Sequence, residues 1–282
     1  MKRWSTSWFA GLAVGAFLLG GMGSACAGLL AAWEFNAGDV SGSSVDASAG
    51  TAANTTGALV NDANIASGTL DLDGNGDYLR FGDNVSDLRG LSAMTLAAWV
   101  NADSSVSGDR RRIVEHEDNF YFWADGEDGD DSFQYTTHGT SGGYPDARAV
   151  SSTAPSSGSW QHVVAVYDGG AEPARIYVDG VLEGTSISDQ STMPNNSHTF
   201  QIGARRSSSG NPGWFWDGQL DDIAIWDEVL TVGAIGRLAG KDNGGYAGRV
   251  TPTRIPEPAS VVLLFAGLLG VLSRRTSRRS CM

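Results

Sequence analysis

Short apolar runs, separated by Gly, Asp, Asn and Ser, make up most of the chain between residues 28 and 239. In the segment Met94–Val100, the first residue and every second one after it are apolar, which predicts a strand with one face in a core. The segment His162–Tyr167 is β-branched and almost continuously apolar, which is typical of a strand covered on both faces. Phe200–Gly203 and Asp222–Trp226 predict two later strands.

A two-residue hairpin is predicted at Asp179-Gly180, between the runs Arg175–Val178 and Val181–Glu183. Both central residues of such a turn need a positive φ, which explains the preference for this dipeptide. Only Val232–Leu238 has the pattern of a short helix. The sequence therefore predicts an all-β domain in which two antiparallel sheets pack as a β-sandwich.

The charge of the chain limits the classes of partner. The 282 residues include 19 Lys and Arg against 32 Asp and Glu, which gives a net charge of −13. A surface this acidic repels nucleic acid and anionic lipid, so we expect neither as a partner of the domain. It is compatible with divalent cations and neutral glycans. The alternative, which we favour, is that the negative charge only keeps the protein in solution.

The N-terminus has the three parts of a secretory signal peptide. Lys2 and Arg3 precede the apolar stretch Trp8–Leu19, and Ala25–Ala27 supplies the small residues that a signal peptidase reads. The alternative is a lipoprotein box at Gly23–Cys26, which would leave Cys26 lipidated. Gly23 stands where that box normally has Leu, so we favour cleavage after Ala27. The other cysteine, Cys281, lies beyond the predicted domain, which therefore has no disulfide.

The C-terminal tail begins with Pro256, Glu257 and Pro258. The uncharged segment Ala259–Leu272 follows and, as a helix, would span about 21 Å against about 30 Å of bilayer hydrocarbon. Arginines at positions 274, 275, 278 and 279 would hold its end on the cytoplasmic side of the membrane. The geometry predicts a transient stop in the inner membrane, with the domain outside.

This order of parts resembles the PEP-CTERM sorting signal of Gram-negative bacteria. The resemblance implies recognition by an exosortase, removal of the apolar helix near the triplet, and release to the cell surface or the extracellular polymer matrix. The alternative is an ordinary single-pass anchor. We therefore expect a signal peptide at 1–27, one domain at 28–239, a linker at 240–254 and a sorting signal at 255–282.

The body of the chain resembles the laminin-G-like domains, which have the concanavalin A-like jelly-roll fold. Five regions carry the resemblance, in family order: Ala32–Asn36, Leu72–Leu79, Leu96–Val100, the hairpin Trp160–Tyr167 with Ile176–Gly180, and Gly218–Trp226. The resemblance implies a jelly-roll fold. It does not fix a function, because lectins, hydrolases and adhesion modules share this fold.

Four aromatic residues are the candidate ligand-binding residues: Trp123, Tyr144, Trp214 and Trp216. All lie near Gly-, Pro- or Ser-rich segments, and the last two stand close in sequence to two arginines. An exposed aromatic ring offers a flat apolar face on which a sugar ring can stack. The alternative is that these side chains pack onto the sandwich.

A structural calcium ion is implied by the resemblance, since relatives with this fold often carry one that links the first strand to the last. Asp221 and Asp46 are the candidate ligands. The alternative for Asp221 is a turn aspartate at the start of a strand. An acidic hairpin tip at Asp125–Asp131 is a second place where calcium would relieve repulsion between carboxylates, but we favour the alternative of a solvated loop.

Catalytic patterns are sparse. Retaining glycosidases need two carboxylates about 5 Å apart, and only Glu115 and Glu117 would share one face of a strand. The pair would have no such role if both side chains pointed to solvent from an open edge. The sequence therefore favours an exported, non-catalytic domain that binds a polysaccharide or matrix polymer. A structural matrix or adhesion protein without glycan binding is the second hypothesis, and a polysaccharide hydrolase or lyase the third.

Overall fold

The computed structural model describes residues 28–83, 85–104, 110–125, 131–138, 147–170, 172–186, 193–206 and 211–240. The predicted signal peptide, the sorting motif Pro256–Pro258 and the candidate residue Tyr144 lie outside the described residues. So does almost all of the predicted linker. Within the described ranges, no helix has both the length and the apolar character needed to cross a bilayer.

The described residues form nineteen strands, two short 3₁₀ turns (Ala37–Asp39 and Ser86–Leu88) and one α-helix. The elements are β1 (Leu29–Trp33), β2 (Val40–Ser41), β3 (Ser44–Val45), β4 (Gly57–Val60), β5 (Asn64–Ala66), β6 (Thr69–Asp73), β7 (Tyr78–Arg80), β8 (Met94–Ala102), β9 (Arg110–His116), β10 (Phe120–Asp125), β11 (Ser132–Thr137), β12 (Ala147–Val150), β13 (Gln161–Tyr167), β14 (Ala174–Val178), β15 (Val181–Thr185), β16 (Phe200–Ile202), β17 (Arg205–Arg206), β18 (Pro212–Gly213), β19 (Asp217–Trp226) and α1 (Val232–Leu238).

Two large sheets confirm the predicted antiparallel sandwich. The first sheet has the order β15-β14-β13-β8-β19-β6-β5, with β1 paired to β19. The second has the order β12-β11-β10-β9-β16-β7-β4-β3-β2, and β17 and β18 form a small separate hairpin. Neighbouring strands pair antiparallel throughout both large sheets, so the non-consecutive order arises from long connections that cross between the sheets.

The core lies between the two sheets. The predicted face of β8, which carries Met94, Leu96, Ala98 and Val100, is fully buried there. At its centre the ring of Trp33 lies 5.2 Å from that of Phe81 and 5.6 Å from that of Phe200. These aromatic contacts join β1 of the first sheet to the second sheet.

Helix α1 covers the other side of the first sheet. Thr231 caps its first turn by accepting a hydrogen bond from the Ala234 amide at 3.2 Å. Ile235 and Leu238 then pack into a second apolar cluster with Val164 and Val166 of β13. Strand β13 is therefore covered on both faces, as its continuous apolar sequence predicts.

The hairpin between β14 and β15 is confirmed at Asp179 and Gly180, which have φ angles of 49° and 83°. The Asp179 carboxylate also accepts a hydrogen bond from the backbone amide of His162 at 3.0 Å. A Cβ atom on Gly180 would lie 3.2 Å from the Cα of Gly236 and 3.3 Å from the Cβ of Ala239, because α1 packs against the turn. The turn therefore needs glycine for both its conformation and its packing.

Substituting Gly180→Ala is expected to lower the free energy of unfolding by about 1–2 kcal/mol, because an L-residue is strained in the left-handed region and its methyl group would push α1 outward. Urea denaturation measures the loss. Gly38→Ala is the matched control, since Gly38 has space around it and no left-handed backbone. Equal stability of the two variants would contradict the requirement for glycine at this turn.

Candidate ligand-binding cavity

The outer face of the second sheet carries a cavity of about 420 Å³. Strand β10 illustrates how the sequence builds it, because Phe120, Phe122 and Ala124 point into the core while Tyr121 and Trp123 alternate with them and line the cavity. We call it the arginine–tryptophan cavity. Its lining residues are Arg110, Arg112, Glu117, Asp118, Tyr121, Trp123, Asp125, Thr136, His138, Arg148, Arg205, Arg206 and Trp214.

A β-bulge in β9 organises the floor of the cavity. Phe122 of β10 pairs with Val114, but the next residue, Trp123, pairs with Arg112, so Ile113 is the extra residue. In a regular strand, residues three apart lie on opposite faces. The bulge places Arg112 and Glu115 together, and their side chains form an ion pair of 2.6 Å.

The β17–β18 hairpin docks on this bulge and forms one wall of the cavity. The backbone amide of Arg112 donates to the carbonyl of Trp214 at 2.9 Å. The Glu115 carboxylate accepts a hydrogen bond from the backbone amide of Arg206 at 3.1 Å. Trp214 has a φ of 50°, a rare conformation for a bulky residue. These contacts hold its ring over the arginines.

The guanidinium group of Arg112 is surrounded by aromatic rings. Its central carbon lies 4.7 Å from the ring centroids of Tyr121, Trp123 and Trp214. Arg205 lies over the ring of Trp214 at 4.1 Å. Such cation–π contacts fix the planes of the guanidinium groups.

Burial and charge oppose each other at the Arg112–Glu115 pair. Arg112 is 4% exposed and Glu115 is 1% exposed. Burial raises the pKa of Glu115 to about 7, although the positive charge of Arg112 acts in the opposite direction. Burial also lowers the pKa of Arg112. Removing either side chain would therefore destabilise the protein, because the remaining charge would be buried without a partner.

Two buried polar groups of the cavity lining have no hydrogen-bond partner in the described part of the chain. They are Nη1 of Arg112 and Oγ1 of Thr136. Most buried polar atoms in proteins are hydrogen-bonded. Both are therefore unsatisfied hydrogen-bonding groups at the cavity wall.

The predicted aromatic residues are only partly brought together. Trp123 and Trp214 both line the cavity. The pair Trp214 and Trp216 does not form the expected exposed platform, because the Trp216 side chain is fully buried in the core. The left-handed backbone at Trp214 separates the two rings, since in a regular strand residues two apart would share a face.

Glu115 and Glu117 do not point to solvent from an open edge. Strand β9 lies between β10 and β16, and Glu117, just beyond its end, is 8% exposed. Glu117 forms an ion pair of 3.1 Å with Arg206 and lines the cavity, whereas Glu115 lies beneath it. Each carboxylate is thus in an ion pair with an arginine, Glu115 with Arg112 and Glu117 with Arg206.

The two candidate calcium ligands have different surroundings. Asp46 accepts a hydrogen bond from the Thr56 hydroxyl at 2.6 Å. Burial raises the pKa of Asp221 to about 7, and the negative charges of Asp222 and Glu34 add to this effect. In the described ranges, no group of three or more His, Cys, Asp or Glu side chains is arranged to hold a metal ion. Carboxylate oxygens suit calcium, but the described side chains do not by themselves make a complete site.

The arginines of the cavity were not predicted as functional residues. Arg110 and Arg112 alternate in β9, Arg148 lies in β12, and Arg205 and Arg206 form β17. The available signal was the contrast between these arginines and the acidic composition of the whole chain. Their convergence depends on the order of strands in the sheet, which the sequence pattern does not encode.

Comparisons with known proteins agree with this architecture. A family model, Laminin_G_3, described as the concanavalin A-like lectin/glucanases superfamily, matches residues 73–236. No curated protein matches the chain. Several solved structures are similar to the chain. The three described below share less than 25% of its sequence, so the similarity shows the fold alone.

Three of these structures come from proteins of different kinds. Domain 4 of AbnA, a GH43 extracellular arabinanase from Geobacillus stearothermophilus in complex with arabinotriose, is 19% identical, with a TM-score of 0.51 covering 76% of this chain and 98% of that one. The receptor binding domain of botulinum neurotoxin C/D mosaic serotype is 12% identical, with a TM-score of 0.55 covering 75% of this chain and 50% of that one. Trypanosoma rangeli sialidase is 15% identical, with a TM-score of 0.50 covering 75% of this chain and 32% of that one.

Proposed function

Because the chain belongs to the concanavalin A-like lectin/glucanases superfamily, we propose that its domain binds carbohydrate in the arginine–tryptophan cavity and does not catalyse a reaction. The lining of the cavity is the observation that carries this proposal. It combines aromatic side chains, Trp123 and Trp214, with the unpartnered polar groups of Arg112 and Thr136. Apolar ring faces beside fixed hydrogen-bonding groups are what a saccharide requires.

Two further features support a saccharide as the ligand class. The cavity volume of about 420 Å³ lies within the usual range of small-ligand sites, about 300–1,000 Å³. One fold neighbour, domain 4 of the arabinanase, was solved in complex with arabinotriose. The proposal extends that ligand class, a saccharide, to this chain.

A glycan-array screen of the full-length protein, run with calcium and again with a chelator, tests the proposal. We expect the wild-type protein to bind at least one polysaccharide class, and we expect Trp214→Ala to lose that binding. Trp160→Ala is the control, because Trp160 is also half-buried but does not line the cavity. No binding by a protein shown to be folded by circular dichroism would overturn the proposal and favour a structural matrix or adhesion role.

A hydrolase or lyase is the second candidate, because Glu117 and Asp125 both line the cavity. Both are in ion pairs, at 3.1 Å with Arg206 and 3.5 Å with Arg110. Each carboxylate is therefore held by an arginine side chain, whereas a general acid or base must reach the bond that it acts on. Release of reducing ends from a bound polysaccharide, abolished in Glu117→Gln, would establish the enzyme instead of the binding domain.

We also propose that the domain is exported and sorted by the C-terminal tag. Substituting Pro256 and Pro258 with alanine is expected to retain the protein in the inner-membrane fraction, because the exosortase would no longer release it. Cell fractionation and immunoblotting measure the change. The variant Thr251→Ala, in the linker, is the control. Release that is unaffected by the proline substitutions would contradict sorting through this motif.

A structural calcium ion at Asp221 remains a proposal, supported by the carboxylates of Asp222 and Glu34 nearby. Calcium is expected to raise the melting temperature of the wild-type protein relative to a chelator, since a ligand of the folded state stabilises it by mass action. The effect should disappear in Asp221→Asn and persist in Asp62→Asn. Identical melting curves for the wild-type protein with calcium and with chelator would exclude the site.

A further inference from the structure

The distribution of positive charge around the arginine–tryptophan cavity is unusual for this chain. Acidic residues outnumber basic ones by 32 to 19, yet five arginines line this one cavity. Asp125 is shared by two of them, at 3.5 Å from Arg110 and 4.0 Å from Arg148. Repulsion between guanidinium groups this close is costly unless negative charge accompanies them. Glu117 and Asp118 line the cavity together with Asp125, so five arginines face three carboxylates and two positive charges are in excess (5 − 3 = 2). This excess points to an anionic ligand.

Arg205 differs from the other arginines of the cavity lining, because its guanidinium group has no direct contact with a carboxylate among the described residues. The described part of the chain gives its guanidinium group neither a hydrogen bond nor an ion pair, and it lies 4.1 Å from the ring of Trp214. Its side chain is half-buried, so solvent screens it only in part. Trp214 packs against the guanidinium group of Arg205, whose N–H donors have no partner within the described ranges.

Arg112 adds a second set of donors beside the same ring. Its guanidinium carbon is 4.7 Å from the centroid of Trp214. The residue is 4% exposed, and its Nη1 atom has no hydrogen-bond partner among the described residues. Two guanidinium groups that share one ring repel each other, and an oxyanion in contact with both would relieve that repulsion. The planar fork of a guanidinium group matches the paired oxygens of a carboxylate or a sulfate.

We infer that the cavity binds an anionic saccharide, with an acidic oxyanion group of the sugar contacting Arg112 and Arg205 beside Trp214. This inference rests on the proposed function, since it names the class of glycan bound there. The aromatic rings then act mainly by holding the guanidinium planes, and the Thr136 hydroxyl, which has no hydrogen-bond partner in the described ranges, bonds a sugar hydroxyl. A neutral glycan would cover Arg205, which has no ion pair among the described residues, without compensating its charge.

The shared chemistry of the ligand is an oxyanion on a sugar ring, either a uronate carboxylate or a sulfate ester. Two pairs of polymers separate these sources. Polygalacturonate is compared with its methyl ester, and dextran sulfate with dextran, so each pair differs in charge but not in sugar backbone. Isothermal titration calorimetry of the full-length protein at about 0.15 M salt measures the affinities. We expect one acidic polymer to bind at least tenfold more tightly than its neutral partner.

Variants of Arg205 make the test specific to the cavity. Arg205→Gln should weaken binding of the acidic polymer about tenfold or more, and Arg205→Lys should restore part of it, because charge returns without the planar fork. Arg237→Gln removes the same charge from α1, on the opposite side of the sandwich, and should leave affinity unchanged. Arg205 is preferred to Arg112 because its substitution leaves no buried carboxylate unpaired.

The outcomes separate this inference from the proposed function. Equal binding of the acidic and neutral polymers, abolished by Trp214→Ala, would overturn the anionic ligand and leave carbohydrate binding in place. No binding of any polymer, here or on the glycan array, would overturn both. Equal losses in Arg205→Gln and Arg237→Gln, or comparable binding of single-stranded DNA, would indicate unspecific attraction of polyanions and would also overturn the inference.

Discussion

Replacing Arg112 with methionine will destabilise the protein by about 3–5 kcal/mol, because it leaves the carboxylate of Glu115 buried without its partner. The two side chains are 2.6 Å apart and almost fully buried. Methionine can fill the space between the rings of Tyr121, Trp123 and Trp214, so lost packing contributes little. Urea denaturation at pH 8 measures the loss.

The loss of stability caused by Arg112→Met should increase with pH. Burial raises the pKa of Glu115 in the folded protein to about 7, above its ordinary value in an unfolded chain, about 4.3. The folded state therefore binds the proton more tightly, and stability contributed by this group falls as pH rises between these values. Without Arg112 the pKa rises further, so the deficit of Arg112→Met will be largest at pH 8 and smallest near pH 5.

A double-mutant cycle separates the buried charge from other effects. Adding Glu115→Gln to Arg112→Met should recover most of the lost stability, because a neutral amide needs no counter-charge. The Glu115→Gln single variant leaves Arg112 unpaired and should itself be destabilised. A double variant as unstable as Arg112→Met, or a deficit equal at pH 5 and pH 8, would contradict the buried ion pair.

The sandwich could be predicted because its signals are local. Alternation in Met94–Val100, continuous β-branching in His162–Tyr167 and the dipeptide Asp179-Gly180 each specify structure over a few residues, and all three are confirmed. The match of the family model to residues 73–236 agrees with the resemblance. Fold class thus followed from short-range pattern together with the order of the segments.

The cavity could be predicted only in part, because its geometry depends on distant contacts. Trp123 was identified from its neighbourhood of loops, but Arg112 and Glu115, three residues apart, would lie on opposite faces without the bulge at Ile113. The hydrogen bond between the Arg206 amide and Glu115 joins residues 91 positions apart. No periodicity in the sequence encodes either feature.

Replacing Trp216 with alanine is expected to cost about 3–5 kcal/mol of stability, because its side chain is fully buried in the core and the truncation leaves a large cavity. Trp216→Phe should cost less, since it keeps most of the volume and Nε1 of Trp216 has no hydrogen-bond partner in the part of the chain that the structure describes. Thermal and urea denaturation measure both variants.

Trp214→Ala should affect ligand binding more than stability, since the half-buried ring of Trp214 lines the cavity and contacts arginine side chains. We expect a loss of ligand affinity with a smaller loss of stability, because removing the ring opens no void in the sandwich core and the backbone bond from Arg112 to the Trp214 carbonyl remains. If Trp216→Ala proved as stable as the wild-type protein, the ring would have to be exposed, as the sequence suggested. If Trp214→Ala unfolded the protein to the same extent, the ring would be part of the scaffold and the cavity would lose its aromatic wall as a binding surface. Opposite effects from two tryptophans two residues apart would follow from the left-handed backbone at Trp214, which directs one ring to the core and the other to the ligand.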